Sequence, residues 1–274
     1  MIKRILIILL LFPCLAWAGF SVDGVADPAS VDGVTEPASV DGVSPDYTAD
    51  ANCMGAWFMN GNGTNETDRS GETETLTQTS GTIPTSATVP SGYSGTSRDF
   101  VASETEYLTH ADAGSTDISG ADQSLSITAW IKRDIDSGGY EGIVTKYDYT
   151  LTKIQYALWI DSNDKVDLTL VGESATGGTT INLATWYHVA VVYNDTDLRI
   201  YVNGSLDMTP VANSTGVSGE SVAFAVGCAF DNAAPAAYFD GLIDEVMIFD
   251  RALSAAEVSN IYAKGMDGTR GGND

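Results

Sequence analysis

Short runs rich in Val, Ile, Tyr and Trp recur after residue 53, separated by Gly, Asn, Asp and Ser. Brief apolar runs between turn residues predict strands, and the run 125–132 alternates apolar and polar positions as a half-buried strand does. An Asn-Gly pair at 203–204 predicts a hairpin turn. The pattern predicts an all-β fold, an antiparallel β-sandwich or jelly roll. The predicted strands are 53–59, 125–132, 143–147, 155–161, 166–171, 186–193, 198–202, 222–227 and 239–249.

One helix is marked near the C-terminal end. Ser254 followed by Glu257 has the spacing of a capping box, in which each side chain bonds the other residue's backbone amide. Leu253 and Val258 flank the cap as a hydrophobic staple, and Gly265 is a typical helix end. We expect one short helix here that covers part of a sheet and carries no catalytic group.

The chain is strongly acidic. Its 274 residues contain 37 Asp and Glu against 13 Lys and Arg, which gives a formal net charge of −24. This balance argues against nucleic acid and anionic membrane surfaces as partners, because both are bound through basic patches. The length and the 43% content of hydrophobic residues are sufficient for a sizeable core.

The first 18 residues have the layout of a signal peptide. Lys3 and Arg4 precede an apolar stretch at 5–12, and Ala16 and Ala18 supply the small residues that a signal peptidase reads. The apolar stretch is too short to span a bilayer. We therefore expect export, and a secreted or cell-surface location.

A nonapeptide repeat follows the predicted cleavage point. Copies of Ser-Val-Asp-Gly-Val start at residues 21, 30 and 39. Asp-Gly and Pro interrupt any strand and the apolar content is low, so the repeats predict an extended acidic spacer; a small β-solenoid is the alternative. The predicted organisation is a signal peptide at 1–18, a spacer at 19–49, one β domain at 50–267 and a flexible tail at 268–274.

Cleavage would leave two cysteines, Cys53 and Cys228. An even pair in an exported chain predicts a disulfide bond, because the compartment is oxidising. The alternative is two buried free thiols.

Several motifs together resemble one family. The run YFDGLIDEVMIFDRALSAAEV at 238–258 is similar to the closing segment of laminin-G-like, concanavalin A-like jelly rolls. The segments SITAWI at 126–131, WYHVAVVY at 186–193 and LRIYVNG at 198–204 occur in that family's order, and MGAWF at 54–58 resembles its opening strand. The resemblance covers about residues 50–265 and extends more distantly to the pentraxins. It implies the jelly-roll fold but not a function, because this fold hosts lectins, adhesion modules and glycosidases.

Catalytic motifs are weak in this sequence. Glucanases of this fold align acids on one strand as Glu-x-Asp-x-x-Glu, and the nearest match, Glu66 to Glu72, is one residue too long. Asp244 and Glu245 are adjacent and would point to opposite faces of a strand, while Glu104 and Glu106 lack a third acid. The two histidines, His110 and His188, are too few for a zinc site. We therefore expect no enzymatic activity.

Calcium is the one cofactor that the residues suggest. Asp244 has the strand parity of Val246 and Ile248, and an inward carboxylate needs a cation or several amide donors. Related domains often hold a structural calcium where the last strand meets the first, so Asp244 is the first candidate and Asp68 the second. The alternative is that Asp244 caps the turn at Gly241.

The resemblance to pentraxins draws attention to the loop after Gly227. Asp231 matches an acid of the pentraxin calcium motif, but Ala229 and Phe230 stand where that motif has Glu and Gln. The departure argues against a pentraxin-type double-calcium site.

Carbohydrate binding is the leading functional prediction. Sugars bind aromatic faces beside polar groups, and Trp130, Trp159 and Tyr156, with the tyrosines of 140–149, are the candidates. The alternative is that the Trp residues are all structural. The sequence thus predicts a non-catalytic module that binds a glycan. A structural or adhesion module that contacts extracellular proteins is the second hypothesis, and a glycosidase the third.

Overall fold

A computed structural model describes residues 45–61, 65–79, 81–112, 114–120, 123–171 and 173–268. The predicted signal peptide, the repeats at 21–43 and all but the first residue of the predicted tail lie outside the described residues. Export and the spacer therefore stay predictions.

The described residues form two mainly antiparallel sheets, as the sequence predicts. The first sheet has nine strands in the order β14-β13-β12-β7-β19-β5-β4, with β1 added beside β19 and β15 beside β13. These strands are β1 (Cys53–Trp57), β4 (Thr85–Ser86), β5 (Ser97–Phe100), β7 (Leu125–Arg133), β12 (Trp186–Tyr193), β13 (Asp197–Val202), β14 (Ser205–Leu206), β15 (Val211–Ala212) and β19 (Gly241–Phe249).

The second sheet has ten strands in the order β11-β10-β9-β8-β16-β6-β3-β2. The hairpin of β17 and β18 joins this sheet beside β8. These strands are β2 (Asn65–Glu66), β3 (Leu76–Thr79), β6 (Tyr107–His110), β8 (Glu141–Asp148), β9 (Lys153–Ile160), β10 (Lys165–Leu170), β11 (Glu173–Thr180), β16 (Phe224–Val226), β17 (Ala229–Asp231) and β18 (Ala234–Ala236).

The opening and closing strands of the domain lie side by side. In the antiparallel pair β1–β19, Trp57 is opposite Val246. The first half of β19 instead pairs with β5, where Gly241 is opposite Phe100. The adjacency of first and last strands expected for the jelly roll is confirmed.

Alternating residues of the two sheets meet in one core. On β7 the inward residues include Ile127 and Ile131, and on β9 they include Tyr156 and Leu158, all fully buried. Trp57 and Phe224 join the sheets, with ring centroids 5.4 Å apart. Burying a side chain such as Ile127, Ile131 or Leu158 stabilises the fold by about 1.5–3 kcal/mol compared with leaving it exposed to water.

Two buried ion pairs also connect the sheets. Arg133 on β7 donates to both carboxylate oxygens of Glu141 on β8, at 2.8 Å each. Arg98 on β5 pairs with Glu66 on β2, and both side chains are buried. Removing one partner of such a pair leaves an uncompensated buried charge, so either substitution should destabilise the contact between the two sheets.

The predicted helix is present as α1 (Ala255–Lys264) and packs on the outer face of the first sheet. Its capping box is confirmed: Ser254 accepts a bond from the Glu257 amide, and Glu257 accepts from the Ser254 amide at 2.7 Å. In the described part of the chain, no helix is long and apolar enough to cross a membrane. Two short 3-10 helices, Tyr47–Ala49 and Ala102–Glu104, complete the described elements.

Candidate functional site

An open groove of about 820 Å³ lies on the outer face of the second sheet. The outward residues of β8, β9 and β10 form its floor, and the hairpin β17–β18 forms one wall. The edge strand β11 contributes Glu173 and Ser174. The groove is lined by Tyr140, Tyr147, Tyr149, Ile154, Trp159, Thr169, Leu170, Glu173, Ser174, Ala229, Phe230, Asp231, Ala236 and Ala237.

The floor of the groove is aromatic. Trp159 points outward because its neighbours Leu158 and Ile160 face the core, and strand side chains alternate. Its ring lies 4.5 Å from the ring of Tyr140 and 4.8 Å from that of Tyr147, between centroids. Tyr140 is 46% exposed and Tyr149 69% exposed, whereas Trp159 and Tyr147 are mostly buried. The groove therefore presents accessible tyrosine faces supported by a packed tryptophan.

A buried carboxylate on the neighbouring strand fixes the tryptophan from the side, because Asp167 of β10 is directly opposite Trp159 of β9. The indole Nε1 of Trp159 donates to Asp167 Oδ1 at 2.8 Å. Asp167 also accepts from the hydroxyls of Thr169, at 3.0 Å, and Thr176, at 2.7 Å. Three neutral donors thus hold Asp167, and Asp167 in turn sets the orientation of the ring.

The hairpin wall is anchored to β8. Asp148 accepts from the amides of Asn232, at 3.0 Å, and Ala233, at 2.6 Å, which are the two turn residues between β17 and β18. Gly142 allows the close approach, because a Cβ there would lie 2.5 Å from the Cys228 carbonyl carbon. Asp231 bonds the hydroxyl and the amide of Thr150 and so ties the hairpin to the next loop.

Burial and negative charge shape the electrostatics of the groove. The pKa of Tyr140 is raised by desolvation and then by Asp167 and Asp161. The pKa of Tyr147 is raised by desolvation, by the neighbouring tyrosines, and by Asp148 and Asp231. Both phenols therefore stay neutral hydrogen-bonding groups at physiological pH.

The predicted ligand-binding residues divide among three places. Trp159 and Asp231 line the groove together with the tyrosines of 140–149. Tyr156 does not: it is fully buried in the core and donates its hydroxyl to the Thr116 carbonyl at 2.8 Å. The surface position expected for Tyr156 is wrong, because its parity on β9 is opposite to that of Trp159.

Trp130 lies on the opposite sheet, beneath the helix. Its ring is 5.5 Å from Tyr262 of α1, 5.4 Å from His188 and 5.3 Å from Tyr93, between centroids, and Trp130 is 6% exposed. The indole Nε1 of Trp130 and both ring nitrogens of His188 have no hydrogen-bond partner among the described residues. A surface role for Trp130 is therefore also wrong, since other side chains cover it.

The predicted disulfide is not present. Cys53 and Cys228 are separate, buried thiols. Cys53 packs in the cluster beneath the helix, on the first sheet, whereas Cys228 packs with Tyr107 and Ala225 on the outer face of the second. The prediction of a disulfide is wrong, and the alternative of two buried thiols is what the structure has.

A β-bulge changes the expected position of Asp244. The register of β19 against β7 shifts between Asp244 and Met247, and Glu245 has a left-handed φ of 45°. Asp244 is consequently opposite Trp130 on the outer face, not on the core face with Val246. Burial and then the Glu245 charge raise its pKa well above the ordinary value, and burial raises that of Glu245 to about 8.

Asp68 is the second carboxylate suggested for calcium, and it is satisfied by protein donors. It accepts from the amides of Ala56, Ser70 and Glu74 and from the Ser70 hydroxyl, at 2.8–2.9 Å. Across the described ranges, no group of three or more His, Cys, Asp or Glu side chains could hold a metal ion. These residues do not form a ligand set, and calcium binding stays a prediction.

Two of the acids weighed as catalytic candidates, Glu66 and Glu106, have structural roles. Glu66 is paired with Arg98, and Glu106 accepts the Val101 amide at 2.9 Å. Sequence reasoning missed Glu173, which lines the groove, because Glu173 lies on β11, a strand that the sequence did not predict. It also missed Phe230, which was noted only as a departure from a calcium motif.

Comparisons with known proteins agree with the fold. Domain 4 of AbnA, a GH43 extracellular arabinanase from Geobacillus stearothermophilus solved in complex with arabinotriose, superposes with a TM-score of 0.58 and 18% identity, over 77% of this chain and 98% of that one. The binding domain of botulinum neurotoxin serotype G gives a TM-score of 0.57 and 16% identity, over 77% of this chain and 51% of that one.

A third similar structure is a Trypanosoma rangeli sialidase, with a TM-score of 0.53 and 17% identity over 81% of this chain and 34% of that one. The chain thus spans about half of the neurotoxin domain and a third of the sialidase. A search of curated protein sequences gives no significant match. The family model described as the concanavalin A-like lectin/glucanases superfamily matches residues 103–259, more than half of the chain. The chain therefore belongs to the concanavalin A-like lectin/glucanases superfamily.

Proposed function

We propose that the domain binds an oligosaccharide in the groove of the second sheet and does not hydrolyse it. The observation that carries the proposal is the cluster of Tyr140, Trp159 and Tyr147 on the groove floor, with ring centroids less than 5 Å apart in successive pairs. Sugar rings bury their C–H faces on aromatic rings, and exposed aromatics in a concave site supply that contact.

Polar groups around the aromatic floor complete such a site. Thr169, Ser174, Glu173 and Asp231 stand at the margins of the groove, where they can accept or donate bonds to sugar hydroxyls. The fixed orientation of Trp159 limits the ordering cost on binding, because Asp167 already holds the ring. The arabinotriose in the similar Geobacillus domain supports a short neutral oligosaccharide as the first probe.

Isothermal titration with arabinotriose, together with a glycan array, tests the proposal. Tyr140→Ala removes an exposed aromatic face, and we expect it to weaken binding by about tenfold or more, which corresponds to about 1.4 kcal/mol. Leu206→Ala is the matched control, since Leu206 is 50% exposed and lies on β14 of the other sheet. Equal affinity in the two variants, or no glycan bound by the unaltered protein, would contradict the proposal.

Hydrolysis is a second candidate function, favoured by the two carboxylates on the groove, Glu173 and Asp231. A glycosidase needs such a pair. Asp231 is committed to Thr150, however, and this favours a structural role for that carboxylate. Release of reducing sugar from β-glucans or arabinan, lost in Glu173→Gln, would establish hydrolysis instead of binding alone.

Two further proposals accompany the binding function, and one alternative competes with it. We propose that residues 1–18 direct export, which N-terminal sequencing of the secreted protein tests. Calcium dependence is tested by repeating the titration with a chelator and with added calcium. An extracellular protein partner is the alternative to a glycan. It predicts that the glycan array shows no binding, and that an extracellular protein bound by the unaltered domain is no longer bound by Tyr140→Ala.

A further inference from the structure

We infer that the groove selects uncharged sugar chains and rejects glycans that carry carboxylate groups. The inference rests on the proposed function and adds the class of ligand. It starts from the charges that a bound sugar would meet. Glu173 and Asp231 line the groove, and no Lys, Arg or His is among the lining residues that the structure describes.

Two buried carboxylates add negative charge close to the groove. Asp167 lies beside Trp159, on the neighbouring strand and the same face of the sheet, and takes its hydrogen bonds from an indole and two hydroxyls. Asp148 lies beneath the hairpin and accepts three backbone amides, from Leu151, Asn232 and Ala233. All of these donors are neutral, so the hydrogen bonds stabilise the carboxylates without cancelling their charge.

The lysines of the three floor strands β8, β9 and β10 are engaged elsewhere. The ammonium of Lys146 pairs with Asp112 at 2.7 Å, and that of Lys153 donates to the Ser221 carbonyl at 2.7 Å. The ammonium of Lys165 donates to the Gly178 carbonyl and the Thr180 hydroxyl on the edge strand. A ligand carboxylate would therefore meet the acids of the groove without a cation to offset them.

Desolvation is the main cause of the raised pKa values of Tyr140 and Tyr147, and the neighbouring aspartates add to it in the direction that a negative potential at the floor requires. A sugar carboxylate in the groove would lie well within a Debye length of Glu173 and Asp231. It would also lose hydration on binding, without gaining the ion pair that basic residues give in acid-binding sites. Uronic and sialic acids should consequently bind more weakly than neutral sugars of the same size.

The test uses a printed array and titrations in which each neutral glycan has an acidic counterpart. Suitable pairs are fucosyllactose with sialyllactose, both trisaccharides, and cellotriose with its C6-oxidised uronic form. We expect the neutral member to bind about tenfold tighter in low salt, and the ratio to shrink as salt is raised.

Two variants separate local charge from the net charge of the chain. Glu173→Lys changes the charge at the groove. It should reduce the ratio of the affinity for the neutral glycan to the affinity for its acidic counterpart by about tenfold. Glu72→Lys makes the same change on an exposed loop outside the groove lining and should leave the ratio unchanged. Glu173→Gln should give an intermediate ratio.

The outcomes distinguish this inference from the proposed function. Tighter binding of the acidic members, or equal binding within pairs, overturns the selectivity and leaves glycan binding intact. An equal response to Glu173→Lys and Glu72→Lys also overturns it, because the selectivity would then come from overall charge. Absence of binding to both members of every pair removes the proposed function and this inference with it.

Discussion

Each of the two outer faces of the sandwich carries a cluster of aromatic residues. The helix covers one cluster, whereas the other remains open to solvent. On the first sheet, Trp130 and His188 are closed in by Tyr262 of the helix and by Tyr93. On the second sheet, Trp159 is packed by tyrosines, but Tyr140 remains 46% exposed and the groove stays open. Both tryptophans are 6% exposed themselves, so the difference lies in what surrounds them.

The comparison shows that the neighbouring side chains decide whether an aromatic cluster is closed off from solvent or remains accessible. Beneath the helix, the aromatic area is removed from water within the chain, and it contributes to folding. In the groove, the faces of Tyr140 and Tyr149 remain exposed to solvent, where the proposed ligand would cover them. Substitutions on the two faces should therefore separate stability from binding.

The largest expected effect concerns stability. Trp130→Ala should lower the free energy of unfolding by about 3–5 kcal/mol, because it leaves a cavity under the helix. Tyr140→Ala should lower it by less than about 1 kcal/mol, since the side chain is half exposed. Urea denaturation followed by circular dichroism measures both changes.

Glycan affinity should respond in the opposite order, with Trp130→Ala nearly unchanged at temperatures where that variant is folded. If Trp130→Ala weakened glycan binding as strongly as Tyr140→Ala, the separation between the two faces would be lost.

A smaller effect on stability should appear when the pH is lowered, because His188 is buried on the face that the helix covers. Burial lowers the pKa of His188 to about 3 from the ordinary 6.5. The unfolded chain therefore binds this proton first, and stability falls as pH drops from 6.5 towards 3. At pH 4 the loss should be about 3 kcal/mol relative to pH 7.

His188→Phe should remove that part of the acid sensitivity, because neither ring nitrogen of His188 is hydrogen-bonded within the described residues. Denaturant titrations of both proteins at several pH values give the comparison. Parallel pH profiles for the two proteins would show that His188 is not the group responsible.

The smallest expected effect concerns the N-terminal cap of α1, the helix that covers Trp130. Ser254→Ala removes the side-chain acceptor of the Glu257 amide and should cost about 1 kcal/mol of stability. Ser254→Thr keeps an acceptor and serves as the control. Thermal unfolding measures the difference, and glycan affinity should be the same in both variants. A loss confined to Ser254→Thr would contradict the capping role.

The strands that build the core were readable from the sequence, because inward and outward residues alternate there and the apolar runs are long. The polar strands were not readable. The segment 60–95 contains β2, β3 and β4, and β11 has the sequence ESATGGTT, with few apolar positions to signal a strand. Such strands are held by pairing with neighbours, which a local pattern does not reveal.

The candidate site was predicted only in part. Tyr156 and Trp159 are three residues apart on β9, so their side chains point to opposite faces of the strand. Counting positions along the strand would therefore have placed only one of them on the surface. No local signal shows that the helix covers Trp130, because that contact joins distant segments. The β-bulge before Met247 cannot be predicted by counting alternating residues. Because of it, Asp244 lies on the outer face and not on the core face that the count predicts.

The two cysteines of the described domain, Cys53 and Cys228, are unpaired, and one lies on each outer face of the sandwich. Burial raises the pKa of Cys53 to about 12, and it raises that of Cys228 further, so neither thiol reacts readily while its surroundings are closed. Alkylation of Cys53 reports loosening beneath the helix, and alkylation of Cys228 reports loosening beside the hairpin. The rates at which the two thiols are alkylated would thus measure local opening on each side of the domain without any engineered label.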